Sequence, residues 1–365
     1  MGRSHLNPQI GINDAAQNIN TRYGLFHSCR LSLHYLLVRR RLSPESEDAL
    51  SLDAVHSRLK SMHRGHPASR DGALSPDQTM DRGDVDKQSD KHIVATLIEE
   101  RAANLIQRPL WPLYRSFLYP ILKYRSAIRM ADAIAPMSGV DALEHVSDLL
   151  TLDVTTTDLE KIPEKGRVLI AANHPTGIAD GIAMYDALKK RRPDVIFFAN
   201  RDAVRVNERF NEVLIPVEWV EEKRTRERSR ETLKATKEAF TEDRCVVLFP
   251  SGRLAFMDEN KILTEQEWMN SVAIFARKYD CPVIPTHVQA RNSWLYYWFW
   301  RLSDELRDIT LFNELLNKRG KPFHMIFGDM IMPEELRGDP SEVTLALRQH
   351  TVDNVTAGRP WTPIK

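Results

Sequence analysis

From about residue 150 onward, short apolar runs take turns with longer stretches in which apolar positions recur every three or four residues. The runs at 150–154, 168–172, 195–199, 213–217, 245–249, 283–288 and 323–327 read as strands. They are continuous rather than alternating, as strands covered on both faces are. The stretches 178–190, 225–240, 265–279 and 341–354 carry helical period. This succession predicts an α/β fold, a mostly parallel central sheet flanked by helices. Pro285 interrupts one run, and proline removes a ladder donor, so that strand is expected at a sheet edge or bulged.

Upstream the pattern changes. Residues 1–90 are polar and mixed in charge, with Pro, Ser, Gly and Asp concentrated between 63 and 90. A short helical piece near 25–40 within an otherwise flexible region is expected. His63 and His66 stand three apart, a spacing able to bind metal, but with no other ligand nearby solvated histidines are the preferred reading. Helical period returns over 92–107. The stretch 109–129 then mixes Trp, Tyr and Phe with Arg115, Lys123, Arg125 and Arg129. Such a mixture suits the headgroup boundary of a membrane. It equally suits a helical hairpin packed on the core, and periodicity does not separate the two. The expected organisation is a polar N-terminal region (1–90), a helical membrane-interface segment (91–145), an α/β domain (146–340) and a C-terminal helix and tail (341–365).

Charge narrows the function. Lys and Arg number 51 against 50 Asp and Glu, which disfavours a nucleic-acid partner needing a dominant basic field. Cys29, Cys245 and Cys281 have no paired spacing. Buried thiols in a reducing compartment fit better than a disulfide framework or a zinc site. No apolar run approaches the ~18–20 residues of a membrane-spanning helix, and the N-terminus lacks the order of a secretion signal. Any membrane role is expected at the surface.

The chemistry concentrates where strands end. The run 168–172 leads into Asn173-His174-Pro175-Thr176-Gly177, with Asp180 shortly after. Open α/β sheets place their sites at such strand ends, and a histidine oriented by an acid can take a hydroxyl proton near neutral pH. Residues six apart on one helix point about 240° apart, so the two side chains cannot meet on one straight helix. A turn at Pro175 and Gly177, with Asp180 in the first turn of the following helix, would let the acid reach back. The plainer reading is that Asp180 caps that helix.

Four other stretches compete for a role. Pro250-Ser251-Gly252-Arg253 ends the run 245–249. Gly252 allows close backbone approach, and Arg253 offers a fork of donors for an anion; a tight turn with a surface arginine is the alternative. Ser251 invites a serine-hydrolase reading, but Phe249 replaces the first glycine of a nucleophile elbow. Thr286 and His287 stand where they can reach the site, though a satisfied strand-end ring is preferred for His287. Glu221 to Arg230 is a mixed-charge run that reads as a solvated helix face, with one or two arginines at its start able to meet an anionic headgroup. Residues 294–300 hold six aromatic residues between Arg291 and Arg301. They suit a bilayer boundary or the wall of an acyl tunnel more than plain core.

Together these strings resemble the glycerolipid acyltransferase superfamily, typified by lysophosphatidic acid acyltransferases, over about residues 145–335. His174 to Asp180 resembles the NHxxxxD motif with one extra residue; strict spacing would place the acid at Ala179. Phe249 to Arg253 is similar to FPEGTR, with Ser251 in place of the glutamate and Arg253 one position early. Val283-Ile284-Pro285 resembles the fourth motif, and Val213 to Val217 with Lys223 or Arg224 is the best placement of the second. The resemblance implies His174 as general base and Asp180 as its orienting partner. It implies substrate contacts through Asn173, Thr176, Gly177, Pro250, Ser251, Gly252 and Arg253. The donor would be a fatty acyl thioester on coenzyme A or acyl carrier protein, and the acceptor a lysophospholipid or related lipid hydroxyl. No metal or bound redox cofactor is implied. The protein would work peripherally at the cytoplasmic face of a membrane. A lipid hydrolase or thioesterase, and a non-catalytic lipid-binding protein, are the alternatives.

Overall fold

A computed structural model describes residues 91–364, except 219, 221 and 222. The helical piece near 25–40, the His63/His66 pair and Cys29 therefore lie outside the described residues. Strands form at β1 (Asp153–Thr157), β2 (Val168–Ala172), β3 (Ile196–Asn200), β4 (Leu214–Val217), β5 (Cys245–Leu248), β6 (Phe256–Met257), β7 (Leu263–Thr264), β8 (Val283–Gln289) and β9 (Pro322–Phe327). Among the described residues, seven build one sheet in the order β1-β9-β8-β2-β5-β3-β4, and β6 and β7 pair as a separate hairpin. Strands β8, β2, β5, β3 and β4 run parallel; β9 pairs antiparallel to β8 and parallel to β1. The fold is thus α/β around a mostly parallel sheet.

The continuous apolar runs are explained by cover on both faces. All five residues of β2 are buried. Val168, Ile170 and Ala172 face one core and Leu169 and Ala171 the other, as the two-residue period of a strand requires. The first core is closed by α1 (Ile93–Arg101), α3 (Tyr124–Ile134), α4 (Gly139–Leu150) and α5 (Ile178–Leu188), with α2 (Trp111–Ile121) outside them. The second is closed by α6 (Arg226–Thr241), α7 (Ser271–Lys278) and, beyond α8 (Trp294–Leu302) and α9 (Leu311–Leu316), by α10 (Pro340–Gln349). Both cysteine thiols in view, Cys245 and Cys281, are buried and free, and burial pushes each up to about 12. They are inert packing groups at neutral pH.

From 109 to the end of α3 the chain is part core and part exposed. In α3, Ala127, Met130, Ala131 and Ile134 are core. In α2, Leu113, Tyr114, Phe117 and Ile121 form an exposed apolar face. The aromatic run divides likewise within α8: Tyr296, Tyr297 and Phe299 are buried, while Trp294 and Trp298 are 76% and 51% exposed.

Three expectations are corrected. The first strand starts at 153, because Leu150 closes α4 and Thr151 ends it in the left-handed region. The helix expected from 265 starts at Ser271, because Glu265 and Trp268 are buried in an irregular segment tied to the site. Pro285 lies in a central strand, not an edge strand. β9 ends at Phe327 and antiparallel pairing with β8 reaches only Thr286, so no ladder bond is demanded at the proline nitrogen. Gly328 donates to the Pro285 carbonyl at 2.8 Å. A Cβ at 328 would stand 2.8 Å from the proline ring, so only glycine permits this approach.

Candidate active site

β2 and β8 are neighbours, and the first polar residue past β2 extends their ladder. Asn173 donates through Nδ2 to the Val288 carbonyl at 3.0 Å and accepts from the Val288 N–H at 2.7 Å. Its amide thus stands in for a strand residue and fixes where the chain leaves the sheet.

The turn that follows is held by one carboxylate. Gly177 sits at φ +90°, a conformation costly for any residue with a Cβ. It caps α5, whose third residue is Asp180. Asp180 is fully buried. Its Oδ2 accepts from the N–H groups of Thr176 at 2.8 Å and Gly177 at 3.0 Å, and its Oδ1 accepts from Thr176 Oγ1 at 2.5 Å. The helix N-terminus adds a favourable dipole. The same Oδ2 lies 3.0 Å from His174 Nδ1. Capping and contact with the histidine are therefore one arrangement. The extra residue is absorbed by the left-handed glycine, and Ala179, at the strict spacing, is buried in the core.

The imidazole is fixed from several sides. It stacks on Phe249, with ring centroids 4.4 Å apart. Its backbone N–H donates to Glu265 Oε2 at 3.1 Å, and its carbonyl accepts from the Ala255 N–H at 2.9 Å. Nδ1 meets Asp180 at ion-pair distance but without the alignment of a hydrogen bond, and nothing else satisfies it. The opposite nitrogen, Nε2, is neither sealed off nor hydrogen-bonded among the described residues. One ring nitrogen is thus open to solvent while its partner nitrogen faces a buried carboxylate.

The turn after β5 stands on the other side of β2 from β8. The Gly252 N–H donates to the Phe249 carbonyl at 3.0 Å, and Pro250 accepts from Met269 at 3.0 Å. Ser251 is buried, and its hydroxyl donates to the Arg253 carbonyl at 2.8 Å and lies against Glu265. No hydrogen bond joins Ser251 to His174 among the described residues, so it is not arranged as a nucleophile activated by that ring. Arg253 is exposed and makes no ion pair among the described residues.

Glu265 escapes a reading of the sequence. Its carboxylate accepts from His174 N–H and from Trp268 Nε1, and burial holds it above the usual carboxylate range. A carboxylate thus stands beside residue 251 although that residue is serine. Nothing local marks Glu265, since the helical period around it suggests a solvent-facing acid. Asn292 is a second such residue: its Nδ2 lies 3.5 Å from the Pro175 carbonyl, and its Oδ1 accepts from Lys318 Nζ at 2.8 Å. Lys318 is itself buried, paired with Glu314 at 3.1 Å, and desolvation lowers its pKa.

Other candidates lie elsewhere. The His287 ring meets the Thr351 carbonyl at 3.1 Å, and burial lowers its pKa. Thr286 is buried in the β2–β8 ladder. In the basic run, Lys223 pairs with Glu100 and Arg228 with Glu218, both at 2.8 Å, as on a solvated face.

Residues 153–289, the sheet segment that holds these turns, match the family model described as Acyltransferase. A lyso-glycine lipid O-acyltransferase of Phocaeicola vulgatus is 26% identical over 199 residues, 53% of this chain and 69% of that protein. One of Bacteroides thetaiotaomicron is 24% identical over 199 residues, 53% of this chain and 71% of its own. Among solved structures, the 1-acyl-sn-glycerophosphate acyltransferase of Thermotoga maritima aligns with a TM-score of 0.37 and 12% identity, covering 73% of this chain and 99% of that one.

Proposed function

We propose that the chain is a lipid O-acyltransferase of the glycerolipid superfamily, a reading supported by the match of residues 153–289 to the acyltransferase family model and by two relatives that are lyso-glycine lipid O-acyltransferases, and that His174 is the general base, with Asp180 orienting it, in transfer of a fatty acyl group from a thioester to the hydroxyl of a single-chain lipid. The observation that carries this reading is the 3.0 Å contact of His174 Nδ1 with a fully buried Asp180, which leaves Nε2 open.

The acceptor hydroxyl gives its proton to His174 Nε2 while its oxygen bonds to the thioester carbonyl carbon. Asp180 holds the Nδ1–H tautomer and stabilises the imidazolium, as the aspartate of a serine-protease triad does. The C–S bond breaks, and the imidazolium returns the proton to the departing thiolate. Products are an ester and a free thiol, with no acyl-enzyme. Ser251, already engaged by Arg253 and Glu265, has no part in this scheme. Arg253 receives the anionic end of the acceptor. That acceptor is a lysophospholipid or a lyso-glycine lipid, the second because two relatives carry it in their names.

No helix among the described residues is long and apolar enough to cross a membrane. The exposed faces of α2 (Leu113, Phe117, Ile121) and α8 (Trp294, Trp298) are the surfaces we assign to contact with lipid. Phe117→Glu and Trp298→Glu are then expected to weaken co-sedimentation with anionic phospholipid vesicles at unchanged melting temperature.

Purified full chain, given acyl-coenzyme A or acyl carrier protein thioester with each lysolipid in turn, should form diacyl product and free thiol in equal amounts. Thiol release that ignores the lysolipid would replace transfer with hydrolysis. Absence of both reactions would remove the catalytic reading.

A further inference from the structure

Beside the catalytic turn lies a half-open cavity of about 870 Å³, on the β8 side of β2. Gln289, at the carboxyl end of β8, and Phe323 and His324, at the amino end of antiparallel β9, line it. It therefore opens at the same sheet edge as His174. The β6–β7 hairpin, which leaves the Arg253 turn and crosses His174 through Ala255, supplies Lys261 and Leu263 to its wall. Asn292 joins the cavity to the catalytic turn through its contact with the Pro175 carbonyl.

The charge of this cavity is one-sided. Lys261, Arg291, Lys318 and Lys321 line it together with His324, and no Asp or Glu does. The chain as a whole is balanced, so this is local concentration of charge rather than a general excess. Lys318 is neutralised by Glu314 at the floor. Among the described residues no ion pair engages Lys261, Arg291 or Lys321, and all three are exposed. Between the cations the walls are apolar, with Leu263, Phe323 and Trp294.

We propose that this cavity holds the phosphorylated pantetheine end of the acyl donor, with Lys261, Arg291 and Lys321 on its phosphate. The proposal rests on the acyltransferase reading above, because a two-substrate transfer must seat two anionic ends on either side of one base. Arg253, on the β5 side, provides a single cation and suits one headgroup. The cavity provides three unpaired cations around an apolar slot. Its volume falls within the ~300–1,000 Å³ of sites that enclose ligands of cofactor size. A long, largely neutral arm ending in phosphate matches that lining, whereas a compact headgroup would leave most of the slot empty. Coenzyme A and holo-acyl carrier protein both present this chemistry.

The test uses the full chain and reads binding as well as turnover. Coenzyme A, holo-acyl carrier protein and unphosphorylated pantetheine are titrated separately, with tryptophan fluorescence reporting through Trp294. Phosphate-dependent binding of coenzyme A or of the carrier protein, at least tenfold tighter than pantetheine, is expected. The arm that binds names the donor. In the variant K261A/R291A/K321A, donor KM should rise on the order of tenfold, with acceptor KM and kcat within twofold of the parent. Tight binding of neither phosphorylated form, or equal binding of pantetheine, overturns the proposal. So does a variant that raises acceptor KM and spares the donor, because the cavity would then hold the headgroup. If coenzyme A binds through its phosphate while no lipid is acylated, the transferase reading fails and the anion site stands. If acylation proceeds without such binding, the site fails alone.

Discussion

The turn after β2 and the turn after β5 begin alike and finish differently. Each leaves a buried parallel strand, passes a proline and bends at a glycine of positive φ, +90° at Gly177 and +58° at Gly252. In the first, the polar groups are consumed inside the protein. Asn173 is taken by Val288, Thr176 and Gly177 by Asp180, and the His174 N–H by Glu265. In the second, the chain ends its turn on an exposed guanidinium with no ion pair among the described residues. A proton-transfer group must be held within a fraction of an ångström, since a misplacement of about 1 Å can cost on the order of 10²-fold in rate. A group that only captures an anion gains from being free to reach. The comparison thus separates a turn tied down within the protein from one that ends on an exposed cation, and on the proposed reading the first serves chemistry and the second binding.

The most severe test is His174→Ala. If proton removal resides in the first turn, kcat should fall on the order of 10²–10⁴-fold, with far-ultraviolet circular dichroism unchanged. Activity within tenfold of the parent would break the distinction outright. Next is Asp180→Asn, which leaves the Thr176 and Gly177 donors short of an acceptor in a buried place. It should lower kcat by about 10²-fold and destabilise the fold by about 1.5–3 kcal/mol, read from urea unfolding. A loss of stability with activity intact would reduce Asp180 to a helix cap.

Glu265→Gln sharpens the comparison further, because it acts on the rigid turn from outside it. His174 N–H and Trp268 Nε1 donate to different oxygens of Glu265, and glutamine sets an NH2 against one of them, so kcat should drop by about tenfold with KM little changed, a loss of about 1.4 kcal/mol in transition-state stabilisation. The pH dependence has a defined sign. Burial raises the carboxyl of Glu265 above the ordinary value of about 4.3. Its neutral form is favoured in the folded state, so its contribution to stability is complete below that value and is lost as pH rises through the folded pKa. Unfolding measured at pH 4.5, 6 and 8 should show glutamine gaining on glutamate as pH rises. The smallest effect belongs to the receptive turn. Arg253→Ala should raise acceptor KM by about tenfold, as loss of one charge-assisted contact does, and leave kcat within twofold. A fall in kcat with KM unchanged would place Arg253 in the chemistry and dissolve the contrast.

Much of this molecule is legible in its residue order, and the exceptions have physical causes. Val168–Ala172 is readable as a strand because five small or branched apolar residues have no polar face to expose. His174 and Asp180 are readable as a pair because proline and glycine between them announce a turn. Pro285 misleads because its missing donor matters only if a neighbour needs it, and whether β9 reaches that far is settled by Gly328 on another strand. Glu265 is hidden because its partners, His174 and Trp268, lie at unrelated separations of 91 and 3 residues. The two aromatic stretches are half readable: composition marks them as amphipathic, but only packing tells which rings of α8 turn inward.

Local order therefore determined the strands, the helices near the site and the identity of the histidine–acid pair, since these follow from side-chain period and turn chemistry over a dozen residues. Tertiary structure alone decided that one carboxylate both caps α5 and meets the imidazole, that Glu265 anchors the turn, and that cations from three separate loops encircle one cavity. Those arrangements depend on which strand lies beside which, and strand order is set by long-range burial that no short window of sequence contains.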